Sequence, residues 1–102
     1  MTFDGREGEF IPLDSAGQMT AAWRDEGHGI KGVFFGKENL QELLDTPGAM
    51  GIRMYFAVNQ GSTTLVLAAT DADENDILTS EVALEEAVPC PSRCGASNAL
   101  NS

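Results

Sequence analysis

The stretch MGIRMYFAVNQGSTTLVLAAT, residues 50–70, decides the fold. In its first half apolar residues alternate with small or polar ones, and this period of two is typical of a strand with one apolar face. The letters NQGS then supply turn residues, after which TTLVLAAT continues the alternation. We therefore predict a β-hairpin with strands at 50–58 and 63–70.

Two helices are predicted before the hairpin. The first covers about 15–26, because apolar residues recur there every three or four positions and Ser15 with Gln18 matches an S-x-x-Q capping box. The second follows Gly36, where KENLQELLDT places its leucines on one helical face and Pro47 ends the pattern. Both helices are amphipathic, so each needs an apolar surface to cover.

These elements predict an α+β fold with two helices packed on one face of a small antiparallel sheet centred on the hairpin. A brief strand is expected at 30–35, where IKGVFF is rich in β-branched and aromatic residues. Ile52, Met54 and Phe56 share one side of the first hairpin strand and are expected to face the core. The segment after Thr70, DADENDILTSEVALEEAVP, fits a third strand or a short helix equally well.

The chain is long enough for a single domain. It has 102 residues, of which 42% are hydrophobic, enough for one modest core. The composition changes at CPSRCGASNALNS, which is small, polar and without periodicity. We assign residues 1–88 to one globular domain and residues 89–102 to a C-terminal tail that carries both cysteines.

The charge limits the partners. Sixteen acidic and six basic residues give a formal net charge of −10, which repels nucleic-acid phosphates and anionic lipid surfaces. A basic protein, a cation or further copies of the chain are compatible with that charge, although it also fits simple solubility. No apolar run is long enough to span a membrane, and the first residues do not resemble a secretory signal. We expect a cytoplasmic protein that does not bind nucleic acid.

Cys90 and Cys94 are the most unusual feature. Their C-P-S-R-C spacing differs from the C-x-x-C of thioredoxin-like enzymes and provides too few ligands for a zinc knuckle. Three interpretations remain open: a small disulfide ring, two ligands of a metal shared with His28 or a second chain, and two reduced thiols that pack as small hydrophobic groups. In the cytoplasm the thiols would stay reduced unless their oxidation is functional.

Two weaker candidate sites involve metal-binding residue types. Asp71, Asp73 and Asp76 open like a calcium loop, but the glycine and final glutamate of an EF-hand are missing, so an acidic turn is the favoured interpretation. His28 is the only histidine and lies between two glycines; an exposed turn position explains it better than a general base. Arg53 fits either a surface ion pair, the default, or an anion contact.

Four stretches of the chain together resemble a group of small bacterial proteins to which no activity is assigned. The resemblance runs from Ile11 to the end, through IPLDSAGQMTAAWR, GVFFGKENLQELLDTPGAMGIRMYF, LVLAATDADENDIL and CPSRCGASNALNS. The shared pattern is a leading helix, a Gly-Ile-Arg-aromatic hairpin, an aspartate turn and a two-cysteine ending. Ser92 departs from the second proline that other members often carry. The resemblance implies a single-domain unit but no catalytic residue.

Two classes of function follow. The first is a non-enzymatic protein-binding or self-assembly module, since no catalytic constellation and no cofactor motif are recognisable.

The tail lacks the apolar content to order itself, so we expect a bridge between the cysteines, docking of Ala99 and Leu100 on the domain, or insertion into a neighbouring copy. The sharpest expectation is a ring or filament in which Leu100 anchors the tail to the next subunit. The alternative is a small thiol-redox or metal-binding protein that uses Cys90 and Cys94. An enzyme is the less favoured reading.

Overall fold

The computed structural model describes residues 2–102 and has an α+β fold, as predicted. β1 (Gly32–Phe34) pairs with β4 (Val88–Cys90) and β2 (Ala49–Asn59) pairs with β3 (Ser62–Asp71), both antiparallel, so the strands form two small sheets. Neither helix in the described range is long and apolar enough to cross a membrane. The elements in chain order are α1 (Leu13–Asp25), β1 (Gly32–Phe34), α2 (Lys37–Leu44), β2 (Ala49–Asn59), β3 (Ser62–Asp71) and β4 (Val88–Cys90).

The predicted hairpin is confirmed and is slightly longer than expected. Asn59 pairs with Ser62 at its end, and the two residues between them have positive φ, 51° at Gln60 and 82° at Gly61. Two positive φ values are the signature of a type I′ turn, whose twist matches that of the two strands. From the turn the register runs regularly back to the pair of Gly51 and Thr70, and a bulge lies between Ala49 and Gly51.

Both predicted helices are present, but the capping box is wrong. α1 begins two residues earlier than expected, with Pro12 at its N-cap, and no side chain caps its first turn. Ser15 therefore lies inside the helix instead of before it. The fixed φ of a proline suits the start of a helix, and Asp14 in the first turn interacts favourably with the helix dipole.

The core is centred on β3. This strand lies between β2 and the segment that returns after Thr70: the main-chain N–H of Leu67 donates to the Leu84 carbonyl and the reverse bond has the same length, 2.9 Å. Ile77 donates likewise to Ala69 at 2.8 Å. The segment that the periodicity left undecided thus pairs with β3 at isolated positions. The buried residues of the described chain all belong to β3: Thr64, Leu67, Ala68, Ala69 and Thr70.

The expected burial along β2 is wrong. Ile52 is half-buried, but Met54 is 53% and Phe56 84% exposed. The reason is the placement of the helices: α2 packs against β2 and β3, but no residue of either helix is fully buried. The second half of β2 consequently presents an apolar side that this chain does not cover.

Candidate functional site

The two cysteines form a disulfide. Cys90 is the last residue of β4 and is bonded to Cys94, so the first of the three interpretations describes this structure. β4 is fixed to β1 by the pairing of Cys90 with Gly32, and Lys31 donates its main-chain N–H to the Cys90 carbonyl at 2.6 Å. Pro89 and Cys90, which the sequence assigned to the tail, are therefore part of a strand. The disulfide ring begins at the last residue of β4, at the end of the small sheet formed by β1 and β4.

Beyond the ring, the tail docks on α1 of the same chain. The Leu100 carbonyl accepts from Arg24 Nη1 at 2.7 Å, and the Asn101 carbonyl accepts from Lys31 Nζ at 2.8 Å. The approach to α1 is close: a Cβ added to Gly17 would lie 2.8 Å from the Ala99 carbonyl oxygen. The docking therefore uses main-chain groups of the tail, Gly17 and Arg24 of α1, and Lys31 of the loop that follows α1.

The tail also folds upon itself through two asparagines that sequence reasoning missed. Asn98 Oδ1 accepts the main-chain N–H of Leu100 at 2.8 Å, and Asn101 Oδ1 accepts that of Asn98 at 2.8 Å. Asn101 Nδ2 donates in turn to the Cys94 carbonyl at 3.0 Å. Asparagines that bond neighbouring backbone groups build turns, so the N-x-x-N spacing was the available signal. These bonds connect the end of the chain to the disulfide ring.

The predicted role of Ala99 and Leu100 is only partly addressed by this arrangement. A bridge between the cysteines and docking on the chain's own domain were two of the three expected ways of ordering the tail, and both are found here. The contact of Leu100 with α1 is made by its carbonyl, and the residue remains 41% exposed. A contact between Leu100 and a neighbouring copy stays a prediction.

Arg53 joins the hairpin to the acidic turn. Its guanidinium donates to Asp76 Oδ1 at 2.8 Å and to the Glu74 carbonyl at 3.3 Å, and it lies 5.7 Å from the Phe3 ring centroid, within cation–π range. The Tyr55 hydroxyl also donates to the Asp76 carboxylate, and Thr70 Oγ1 does so at 3.0 Å. The surface ion pair expected for Arg53 is therefore a half-buried network.

Hydrogen bonds are the main influence on the pKa of Asp76. The donation from Tyr55 is the main factor that lowers the pKa of Asp76 below its usual value, and the bonds from Thr70 and Arg53 act in the same direction against partial burial. A carboxylate held in this way stays ionised. It serves as the acceptor at the centre of the network.

The remaining metal candidates are not brought together. Within residues 2–102, no three His, Cys, Asp or Glu side chains are grouped so as to hold a metal ion. Asp71 Oδ1 instead accepts the main-chain N–H groups of Asp73 and Asn75, both at 2.9 Å, which closes the acidic turn on itself. The Asp73 side chain is exposed.

The only histidine contacts an acid and an aromatic ring. His28 is exposed, its Nε2 lies 2.9 Å from Glu26 Oε1, and its ring stacks on Trp23 with the two centroids 3.3 Å apart. The Trp23 indole in turn donates to the Ile30 carbonyl at 2.6 Å. These contacts close the loop after α1, and none of them involves a nucleophilic side chain.

The uncovered side of β2 is an exposed apolar surface near the hairpin tip. Met54, Phe56 and Val58, which we call the hairpin stripe, are 53%, 84% and 75% exposed. Between the stripe and α1 runs a groove of about 310 Å³. Its lining is mostly apolar and includes Met19, Trp23, Ile30, Val33, Phe56 and Leu65. Sequence reasoning identified these β2 residues but placed them in the core.

Comparison with known proteins adds no relative: no protein-family model, curated protein or solved structure matches this chain. The resemblance noted from the sequence therefore stays a prediction. The features of the described chain that bear on function are the disulfide-bearing tail, the Asp76 network and the hairpin stripe.

Replacing Gly17 by alanine should release the tail. The new Cβ would meet the Ala99 carbonyl oxygen at 2.8 Å, a distance that requires one of them to move. Amide hydrogen exchange of residues 95–102 should therefore become faster, while the hairpin keeps its protection. Gly36→Ala is the matched control, because nothing lies within 4 Å of a Cβ there. Unchanged exchange in the Gly17 variant would show that the tail is not held on α1.

The Asp76 network should make stability depend on acid. Because the folded-state pKa of Asp76 is lowered, its contribution is present above the unfolded value of about 3.9 and is lost as the pH falls below it. Asp76→Asn should lower the urea midpoint at pH 6 and reduce its fall between pH 6 and pH 3. Asp73→Asn makes the same charge change at an exposed position of the same turn. Equal pH profiles for the wild type and the Asp76 variant would contradict the network.

Proposed function

We propose that this protein is a non-enzymatic self-assembly module and that the hairpin stripe is its principal contact with another copy. The observation that carries the proposal is the surface of the single chain. It exposes 7604 Å², whereas a compact monomer of this length is expected to expose about 5,500 Å². The difference is more than the roughly 800 Å² that each partner contributes to a typical stable interface.

The dimensions of the chain support the same proposal. Its radius of gyration is 15.1 Å, compared with about 13 Å for a compact domain of about 100 residues. Among the buried residues, Leu67 is the only large side chain that is fully enclosed in the described chain. Burying more apolar surface is the main source of folding free energy, so a second copy would stabilise each subunit by covering the stripe.

The distribution of charge is compatible with assembly in spite of the formal net charge of −10. The hairpin stripe and the residues between its members carry no carboxylate, so two copies can approach there without opposing acidic groups. Apolar residues in such a patch, bordered by polar surface, are typical of protein-protein contacts. A polyanionic partner is disfavoured by the overall charge.

The C-terminal tail is the second contact in this proposal. Its main chain is held by Arg24 of α1 and by Lys31 in the loop after α1, while Leu100 remains 41% exposed. The Leu100 side chain is available as an apolar anchor for a neighbouring subunit. An assembly that used the tail in a head-to-tail manner would form a ring or a filament, whereas a symmetric contact through the stripe would close as a dimer.

Phe56→Asp should weaken self-association. The native mass, measured by light scattering or sedimentation over a wide range of concentration, should show an oligomer for the wild type. The variant should dissociate at a concentration at least about tenfold higher, the loss typical of an apolar anchor. Phe10→Asp is the matched control: it makes the same change at a fully exposed phenylalanine outside the stripe.

Deleting residues 95–102 tests the tail in the same assay. Loss of the oligomer in this truncated chain, with the hairpin intact, would assign the assembly to the tail. A wild-type chain that remains monomeric at high concentration would refute self-assembly through either surface. Retained circular dichroism and an intact disulfide show in each case that the fold survives.

The bonded cysteines favour a second candidate, a small thiol-redox protein. In the cytoplasmic location that the sequence predicts, a disulfide persists only where oxidation is functional. Equilibration with glutathione should then give a reduction potential near the cytosolic couples, about −220 to −320 mV. A ring that stays oxidised throughout that range would be purely structural. Zinc bound stoichiometrically to the reduced chain, and lost in Cys90→Ser, would indicate the metal-binding version of this candidate.

A further inference from the structure

We infer that the second copy joins by main-chain pairing of two β2 strands, antiparallel across a two-fold axis, along residues 54–59. This inference rests on the proposed function and specifies its geometry. It extends the β2–β3 hairpin into a sheet that continues through both subunits. The partner surface is the same strand of another chain, so the contact is symmetric and closes as a dimer.

The turn determines which main-chain groups of β2 are free. Asn59 and Ser62 flank the type I′ turn and exchange hydrogen bonds with each other. Bonded and non-bonded pairs alternate along an antiparallel ladder. Ala57 and Tyr55 therefore bond to β3, whereas the N–H and C=O groups of Val58, Phe56 and Met54 point away from it.

The end of β2 near the turn has an open edge. Within residues 2–102, β3 is the only strand paired with β2. At the opposite end the N-terminal segment lies close: an added Cβ on Gly5 would be 3.5 Å from the Met50 carbonyl, and Phe3 stacks near Arg53. That segment shields the start of the strand. Of residues 54–59, all except Ala57 are exposed.

Along residues 54–59 this edge lacks the charged residues, proline and bulges that usually prevent pairing with another chain. Proteins protect exposed edges with lysine, proline or an inward-pointing charge. Residues 54–59, MYFAVN, contain no charged residue and no proline, although the chain has a formal net charge of −10. Two such edges can therefore meet without bringing carboxylates of the strands together.

One register pairs the free main-chain groups of all three residues, Met54, Phe56 and Val58. With the two-fold axis at Phe56, that residue lies opposite its copy and Met54 lies opposite Val58 of the other chain. Each of the three opposed pairs can exchange two hydrogen bonds, about six in all. Residues directly opposite share a face, so the two hairpin stripes also become neighbours and the two Phe56 rings form a cross-strand aromatic pair. Main-chain pairing and burial of the stripe thus favour the same dimer.

Amide hydrogen exchange of the unmodified protein tests this directly. At a concentration where the oligomer predominates, the amides of Met54, Phe56 and Val58 should be protected, and dilution to monomer should accelerate their exchange at least about tenfold. The amides of Tyr55 and Ala57 bond to β3 and should stay protected at both concentrations. A stable oligomer in which the first three amides exchange freely would overturn edge pairing but leave self-assembly intact. Absence of any oligomer would overturn both.

A proline substitution provides a second test. Val58→Pro removes an N–H that points away from β3 while keeping an apolar side chain, and outward-facing positions of edge strands tolerate proline. The variant should be monomeric at concentrations where Val58→Thr, which keeps the N–H and the branched side chain, is dimeric. A folded, dimeric proline variant contradicts the inference. If that variant does not fold, the exchange pattern of the unmodified protein decides the question.

Discussion

Double-sided pairing of β3 is the constraint on which the rest of this structure depends. The strand exchanges hydrogen bonds with β2 on one side and with residues around Leu84 on the other. Only a strand paired on both edges can be buried on both faces without leaving unsatisfied main-chain groups. This explains why every buried residue of the described chain lies on β3 and why Leu67, at 0% exposure, is at the centre.

The same arrangement leaves β2 exposed. With β3 central, β2 becomes an edge strand, and its far end is left uncovered, since Phe56 and Val58 remain exposed. The strand is long, at eleven residues, and lacks charge over its second half. A small core and an unprotected edge are two consequences of one topology, and a second copy would resolve both. The proposed function and the inferred dimer geometry therefore derive from a single property of the fold.

The C-terminal region is organised on different principles. It contributes almost no apolar burial, and its order comes from the disulfide, from two asparagines that bond neighbouring backbone, and from two cations that bond main-chain carbonyls. Such contacts are individually modest, since a hydrogen bond contributes about 1 kcal/mol net. They act together because each of them restricts the same short segment, and the disulfide ring joins this segment to β4.

The sequence by itself determined the hairpin and the two helices, because periodicity is a local property, whereas the short strand β4 left no such pattern. The alternation from Met50 to Thr70 specified the hairpin, and the leucine spacing specified α2. Tertiary structure decided which alternating residues are buried: Phe56 and Leu67 have equivalent patterns, yet one is exposed and the other enclosed, since only β3 gained a partner on its second edge. Tertiary structure also decided where the tail lies. Nothing in the sequence around Gly17, Arg24 and Lys31 predicts that they contact the C-terminus, because these contacts exist only once the chain has folded.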